Sequence, residues 1–486
     1  MSFCFIMERN KNHKGLTDRK MNKYHKLISN TFIFALGTFS SKLLVFVLMP
    51  IYTRVLTTSE YGVVDLIVNT ANFLIPVVAV CISESVVRFG LDKNYRKDNV
   101  FTIGILTILI GYIIFLLFFP VVSMIKFISE YTWLVYIYVF CSIVKNVSAQ
   151  FIRARGLVKL FAFDGIMSTA TVLIFSILFL VVFKFGIIGY VMAIVLSDAI
   201  SAAFLFIVAD LKKYLKPSTI DKEVWKSMVL YALPLIPNTV FFWITNLSDR
   251  YILTYLIGPS ANGLYTAAYK IPTIIIAVST IFMQAWQISA FSQQEKKEKE
   301  KFYSNVFRSY QSIVFLIASG IILMIIPITY ILVSKNFFES WIFVPFLVIS
   351  VIFSCFSSFL STIYMSEKKN TMVMVTMFGG ALINIILNFV LIPVYGALGA
   401  AFSTMISYFV VFVIRIIDTR KYLKIKINVI RFILNTVIVI TQAFIIINQL
   451  RGWVIYEILL LLLMASLNLS ILYRGAKNLL NLKQNK

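Results

Sequence analysis

The sequence predicts an all-α membrane protein of fourteen transmembrane helices, in two parallel six-helix lobes followed by two C-terminal helices. Three observations carry that expectation. Of 486 residues, 60% are hydrophobic and only 14% are charged, whereas soluble domains average about 45–50% apolar and about 25% charged. Apolar runs long enough to cross the hydrocarbon core recur along the whole chain. The basic residues fall in short clusters between those runs, on alternate sides.

Spans are expected near 30–52, 61–82, 100–121, 132–152, 160–183, 187–209, 229–256, 262–290, 307–334, 340–364, 371–394, 397–417, 430–448 and 453–473. One set of loops holds the basic N-terminal tail, Arg88 to Lys97, Arg153 to Lys159, Lys212 to Lys226, Lys296 to Lys301, Lys368 and Lys369, Arg420 to Lys426 and the basic C-terminus. The other set holds only Arg54, Lys126, Lys184, Lys335 and Arg451. The positive-inside rule then puts both termini in the cytoplasm and requires an even number of spans. The organisation reads as a cytoplasmic tail (1–29), an N-lobe (30–209), a cytoplasmic linker (210–228), a C-lobe (229–417) and helices 13 and 14 with a tail (418–486). The first apolar run is of full span length and shows no clear cleavage site, so it reads as a retained helix.

Net charge is +24. A nucleic-acid-binding face would need a folded polar domain to present that charge, and the clusters lie in membrane loops instead. Cys4, Cys81, Cys141 and Cys355 are scattered without metal spacing, and His13 and His25 both lie in the tail. No metal site, cofactor or histidine-based catalysis is expected. No phosphate-binding GxxxxGK[ST] loop exists, so no ATP site of that kind does. The short outer loops leave no room for an enzyme domain.

An internal repeat organises the spans. Phe185-Gly186-Ile187-Ile188-Gly189 and its following Ser197 match Tyr395-Gly396-Ala397-Leu398-Gly399 and Ser407, each opening the sixth span of a six-span set. Leu56 to Gly62 echoes Leu256 to Gly263, each joining the first and second spans of its set. Two parallel repeats imply a two-fold axis along the membrane normal, with a substrate site between the halves.

Polar residues inside the spans mark that site. An adjacent pair, Asp249-Arg250, interrupts the seventh span, and Lys270 lies in the eighth. Intramembrane charge costs about 2.5–3.5 kcal/mol per basic residue on insertion scales and marks ion or substrate pathways. Thr266, Lys270, Thr273, Ala277, Thr280, Gln284 and Gln287 alternate four and three apart, which puts them on one face of a continuous helix. Asn238, Phe242, Asn246 and Arg250 form a similar stripe, after Pro234 and Pro237, which suit a kink and a gate. Lys42, Arg250 and Lys270 would give a central cavity a positive field, extended by Arg88 and Lys145. Desolvated cations of this kind hold phosphate well. The opposing reading pairs each base with Asp65, Asp198 or Asp249; the same three acids are candidates for a coupling Na⁺ or proton.

Across Tyr231–Asn238, Leu247–Arg250 and Gly263–Lys270 the chain resembles the Wzx-type polysaccharide (O-antigen or capsule repeat-unit) flippases. These belong to the multidrug/oligosaccharidyl-lipid/polysaccharide exporter superfamily. The resemblance implies a MATE-like fold and movement of an undecaprenyl-diphosphate-linked oligosaccharide from the inner to the outer leaflet of the bacterial cytoplasmic membrane. It further implies alternating access, with a cationic cavity for the diphosphate and sugar and the lipid tail left among membrane lipids. A polysaccharide polymerase and glycosyltransferases of the same pathway are the expected partners. The rival functions are an ion-coupled multidrug exporter of the same fold, a lipid II-type flippase, and a membrane-embedded glycosyltransferase or polymerase.

Overall fold

The computed structural model describes residues 46–290, 296–367 and 369–484. Among them there are helices and no strands. Lipid dictates this: without water to satisfy backbone N–H and C=O groups, a spanning segment must satisfy them within itself.

The helices are α1 (Phe46–Val55), α2 (Thr58–Val78), α3 (Ile82–Leu91), α4 (Lys97–Leu117), α5 (Phe119–Ser123), α6 (Thr132–Ala154), α7 (Val158–Ser176), α8 (Gly186–Val208) and α9 (Lys222–Ala232). The second half holds α10 (Leu235–Leu256), α11 (Pro259–Lys270), α12 (Thr273–Ala290), α13 (Lys296–Leu323), α14 (Ile325–Leu332), α15 (Val344–Ser366), α16 (Asn370–Tyr395), α17 (Ala397–Asp418), α18 (Val429–Ile447) and α19 (Trp453–Gln484). Eleven described helical stretches are long and apolar enough to cross a membrane, or twelve if the bent pair α11 and α12 forms one span. The expected first span overlaps α1, a short apolar helix whose predicted start lies outside the described residues, and the expected seventh overlaps α10; neither is among those eleven.

Several boundaries move for local reasons. A capping box starts α2: the Glu60 backbone N–H donates to the Thr57 hydroxyl at 3.2 Å, and Thr57 N–H donates to the Glu60 carboxylate at 2.8 Å. The seventh span begins at Leu235 rather than 229, because α9 is a separate helix capped by Asp221. Pro234 and Pro237 sit at the cap and in the first turn of α10, where a proline's missing N–H is tolerated. They separate two helices and do not kink one. The eighth span bends by 45° between α11 and α12. Pro272 can donate no hydrogen bond there, and the Thr273 hydroxyl instead donates to the Lys270 carbonyl at 2.5 Å. The polar stripe expected along one helix is therefore split over two.

Two large hydrophobic cores result. One draws on α2, α3, α4, α6, α8 and α9, the other on α10 to α13 and α15 to α19. A third, smaller cluster straddles both, with Tyr52, Leu56, Tyr61 and Val64 from the first half and Ala267, Val333 and Phe337 from the second. The two repeats share one backbone feature: Gly186, the first residue of α8, and Gly396, just ahead of α17, both take positive φ values, +54° and +58°. Three residues on, a Cβ on Gly189 would lie 3.1 Å from the Phe179 carbonyl, and one on Gly399 2.4 Å from the Leu391 carbonyl.

The halves touch most closely where α2 crosses α11. An added Cβ on Gly62 would lie 1.9 Å from the Pro259 carbonyl oxygen, and one on Gly263 would lie 1.9 Å from the Thr58 carbonyl oxygen. The contact is reciprocal, as the Leu56–Gly62 and Leu256–Gly263 echo requires. Thr58 and Ser260 hydroxyls share a hydrogen bond of 2.7 Å beside it. Small residues let helix backbones approach in this way inside a membrane. Gly62→Ala and Gly263→Ala should each lower stability by about 1–3 kcal/mol, as overpacking does. Gly379→Ala, with open space at its Cβ position, should be neutral or slightly stabilising; thermal unfolding of the purified proteins separates the two outcomes.

Candidate functional site

Just inside the glycine crossing, Arg250 of α10 forms an ion pair with Asp65 of α2. Both are buried, at 8% and 7% exposure, and they belong to opposite halves. The guanidinium also donates to the Thr266 hydroxyl of α11 at 2.8 Å and lies 5.5 Å from the Tyr269 ring centre. Asp65 accepts from the Asn69 side chain at 2.9 Å and from Asn262 at 3.5 Å. Asn262 donates as well to the Gly62 carbonyl at 2.9 Å. Tyr251 and Thr70 hydroxyls add a bond of 2.5 Å between α10 and α2. A charge pair, hydroxyls and close backbones thus join the halves at one end.

A second pair lies within the first half. Lys145 of α6 donates to Asp198 of α8 and to the Ser168 hydroxyl of α7, both at 2.7 Å. The Ser142 hydroxyl takes the other Asp198 oxygen at 2.5 Å. Asp164 accepts from Ser201 at 2.5 Å nearby. For Arg250 and Lys145, then, the structure adopts the paired arrangement among the two left open by the sequence.

Asp249 differs. It is 4% exposed, and among the described residues no base lies within ion-pair distance. Its partners are neutral: the Tyr265 hydroxyl at 3.0 Å, the Thr404 hydroxyl of α17 at 2.5 Å and the Asn388 amide of α16 at 2.5 Å. Asn384 joins through Asn388 at 3.1 Å. The Asn388 side-chain oxygen is buried with no hydrogen-bond partner. A buried carboxylate held by two hydroxyls and an amide nitrogen, with an orphaned amide oxygen on the same asparagine, could hold a proton or a hard monovalent cation.

The remaining sequence candidates are placed as follows. Arg88 ends α3 with its side chain 60% exposed, 3.7 Å from Asp92. Lys270 is half-buried at the end of α11, next to Thr273. Lys42 lies outside the described residues, as do the side chains of Asn246 and Gln284. Sequence reasoning passed over Asn262, Tyr265, Asn384, Asn388 and Thr404. Two asparagines four apart in an otherwise apolar span were the legible signal for Asn384 and Asn388.

Removing one partner of a buried ion pair strands the other charge, at about 3–5 kcal/mol. Asp65→Asn and Arg250→Gln should each destabilise on that scale. The Asp65→Asn/Arg250→Gln double variant should lose much less than the sum, and a thermal-unfolding double-mutant cycle measures the coupling. Additive losses would show that the pair carries no coupling.

Comparison with known proteins places this geometry. The fold is similar to that of an inward-facing multidrug resistance MATE family transporter of the MOP superfamily, with a TM-score of 0.68 and 14% identity over 80% of this chain and 97% of that one. It is similar to lipid II flippase MurJ in an inward closed conformation, with a TM-score of 0.68 and 15% identity over 92% of this chain and 99% of that one. An outward-facing MATE family transporter aligns with a TM-score of 0.58 and 14% identity, over 81% and 94%. At such identities the likeness is one of fold. No curated protein matches the chain in sequence. Residues 27–287, more than half the chain and the stretch that holds Asp65, Lys145, Asp198, Asp249, Arg250 and Lys270, match the model of one family: the chain belongs to the polysaccharide biosynthesis protein family.

Proposed function

We propose that the protein is a flippase that moves an undecaprenyl-diphosphate-linked oligosaccharide from the inner to the outer leaflet of the bacterial cytoplasmic membrane by alternating access. Its fourteen helices form two six-helix lobes, 30–209 and 229–417, with helices 13 and 14 appended and both termini in the cytoplasm. The observation that carries this reading is the buried Arg250–Asp65 pair joining the halves. An ion pair across two separately cored halves has two arrangements, closed and parted. Parting it would free a desolvated guanidinium suited to a diphosphate. The family's role in polysaccharide biosynthesis and the fold shared with a lipid II flippase support the choice of cargo.

In this reading the described state is closed at the α2–α11 crossing and opens toward the cytoplasm, in keeping with the higher TM-score against the inward-facing MATE transporter than against the outward-facing one. Lys42, Arg250 and Lys270 hold the diphosphate. Arg88 and Lys145 attract the anionic headgroup on the cytoplasmic side. Asn246, Thr273 and Gln284 bond the glycan. The α9–α10 break at Pro234 and Pro237 serves as the gate. Asp249 binds the coupling Na⁺ or proton, while Asp65 and Asp198 act as counter-ions to the bases. The polymerase and glycosyltransferases of the pathway lie upstream and downstream.

Transport of fluorescent lipid-linked oligosaccharide in proteoliposomes tests the proposal. Arg250→Ala and Lys270→Ala should each reduce it at least about tenfold while the protein still inserts, as expected for lost charged hydrogen bonds. Asp249→Asn should abolish the response to an imposed Na⁺ or proton gradient. Normal transport by both basic variants overturns the cationic cavity. Extrusion of organic cations in place of glycan would make the protein a multidrug exporter.

A further inference from the structure

Away from the Arg250–Asp65 pair, the second half encloses a cavity of about 380 Å³ between α10, α15, α16 and α17. That lies within the usual range for small-molecule sites, about 300–1,000 Å³. Ser354, Ser357, Ser358 and Ser361 line it from α15, Thr239 from α10 and Arg415 from α17. The four serines are spaced three, one and three apart, so one face of α15 presents hydroxyls to the cavity. Ser358 is exposed, which gives the cavity its opening.

Arg415 is the unusual member. It is 2% exposed, yet among the described residues no carboxylate lies within ion-pair distance. Its Nε donates to the Thr376 hydroxyl at 2.9 Å, one terminal nitrogen to the Ser357 carbonyl at 2.8 Å, and the other to the Val373 carbonyl at 3.1 Å. A guanidinium has five N–H groups, so these three acceptors fix its plane and leave two donors over. Buried charges are ordinarily paired, because stranding one is expensive. Beside it the Ser357 hydroxyl is buried, lines the same cavity and has no hydrogen-bond partner. A held cation with spare donors, an orphaned hydroxyl and a hydroxyl-rich wall together lack one thing, a polar anion.

We propose that this cavity is an anion subsite, separate from the Arg250 centre, that takes a carboxylate-bearing sugar residue of the transported glycan. The flippase reading supplies the identity of that cargo; the anion chemistry stands without it. Arg415 pairs with the carboxylate through its two spare N–H groups, and the serine face bonds the ring hydroxyls. Free inorganic phosphate offers a similar charge but would leave most of the serine face unused. About 16 Å of helix separates Arg415 from Thr404 in α17, and Tyr408, which also lines the cavity, lies between them.

Binding of glucuronate, glucose and inorganic phosphate to the purified full-length protein, followed by calorimetry, tests the subsite. Glucuronate should bind, and glucose should not. Arg415→Gln should weaken glucuronate about tenfold or more, the scale of a lost charged hydrogen bond, and Arg415→Lys should restore part of it. Ser357→Ala leaves the guanidinium's backbone acceptor in place, so it should weaken binding even if Arg415→Gln fails to fold. Unchanged affinity in Ser357→Ala and Arg415→Lys, equal binding of glucose, or no glucuronate binding overturns the subsite. Phosphate binding as tightly as glucuronate, with the same Arg415 dependence, overturns the sugar assignment in favour of a free-anion site. Arg415-dependent glucuronate binding in a protein that moves no lipid-linked glycan would sink the flippase reading and leave the subsite standing.

Discussion

A guanidinium cannot be left alone in a dry interior, and the arrangement of this protein follows from where its buried charges find partners. Arg250 reaches across from the second half to Asp65 of the first, and the helices that carry them, α2 and α10, together with α11, are those that bring the halves together. Desolvating the two charges is paid for only by their mutual attraction and by the hydroxyl and amide groups around them. Such a pair adds little net stability. Its value is that it has a defined partner, so that the halves have one register in which both charges are satisfied. Lys145 and Asp198 apply the same rule within one half.

Asp249 and Arg415 depart from the rule in complementary ways. Each is deeply buried, each is held by neutral groups, and they carry opposite charge. Both lie in the second half, where α16 supplies partners to both: Asn388 to the acid, Val373 and Thr376 to the base, while α17 supplies Thr404 to the acid and carries the base itself. That half therefore holds one place with excess acceptors and one with excess donors, on the same two helices. The first half pairs Lys145 with Asp198 internally and holds the buried Asp164 through the neutral Ser201 hydroxyl.

Much of the fold was legible because it depends on local properties. Apolar runs set the helices, and GxxG pairs set the turns ahead of α8 and α17, where φ is positive and a neighbouring carbonyl comes close. The Asp249-Arg250 interruption marked the candidate site. What local pattern could not supply was which group each charge meets. Asp249 meets Asn388 and Thr404, 139 and 155 residues further along; Arg415 meets Ser357, 58 residues back. Those contacts exist only once helices have packed. The break at Pro272 shows the other limit. Periodicity continues through a proline, but the hydrogen-bonding ladder does not, so a stripe that is regular in sequence points two ways in space.

The crossing of α2 and α11 is self-complementary: each glycine receives the other helix's carbonyl, as at the two-fold interface of a homodimer. Within a single chain that symmetry has a genetic consequence. The two glycines are encoded separately, so a substitution alters one side of the joint alone, and the unchanged glycine on the other side cannot make room for it. The tolerance of the joint is set by its less forgiving member.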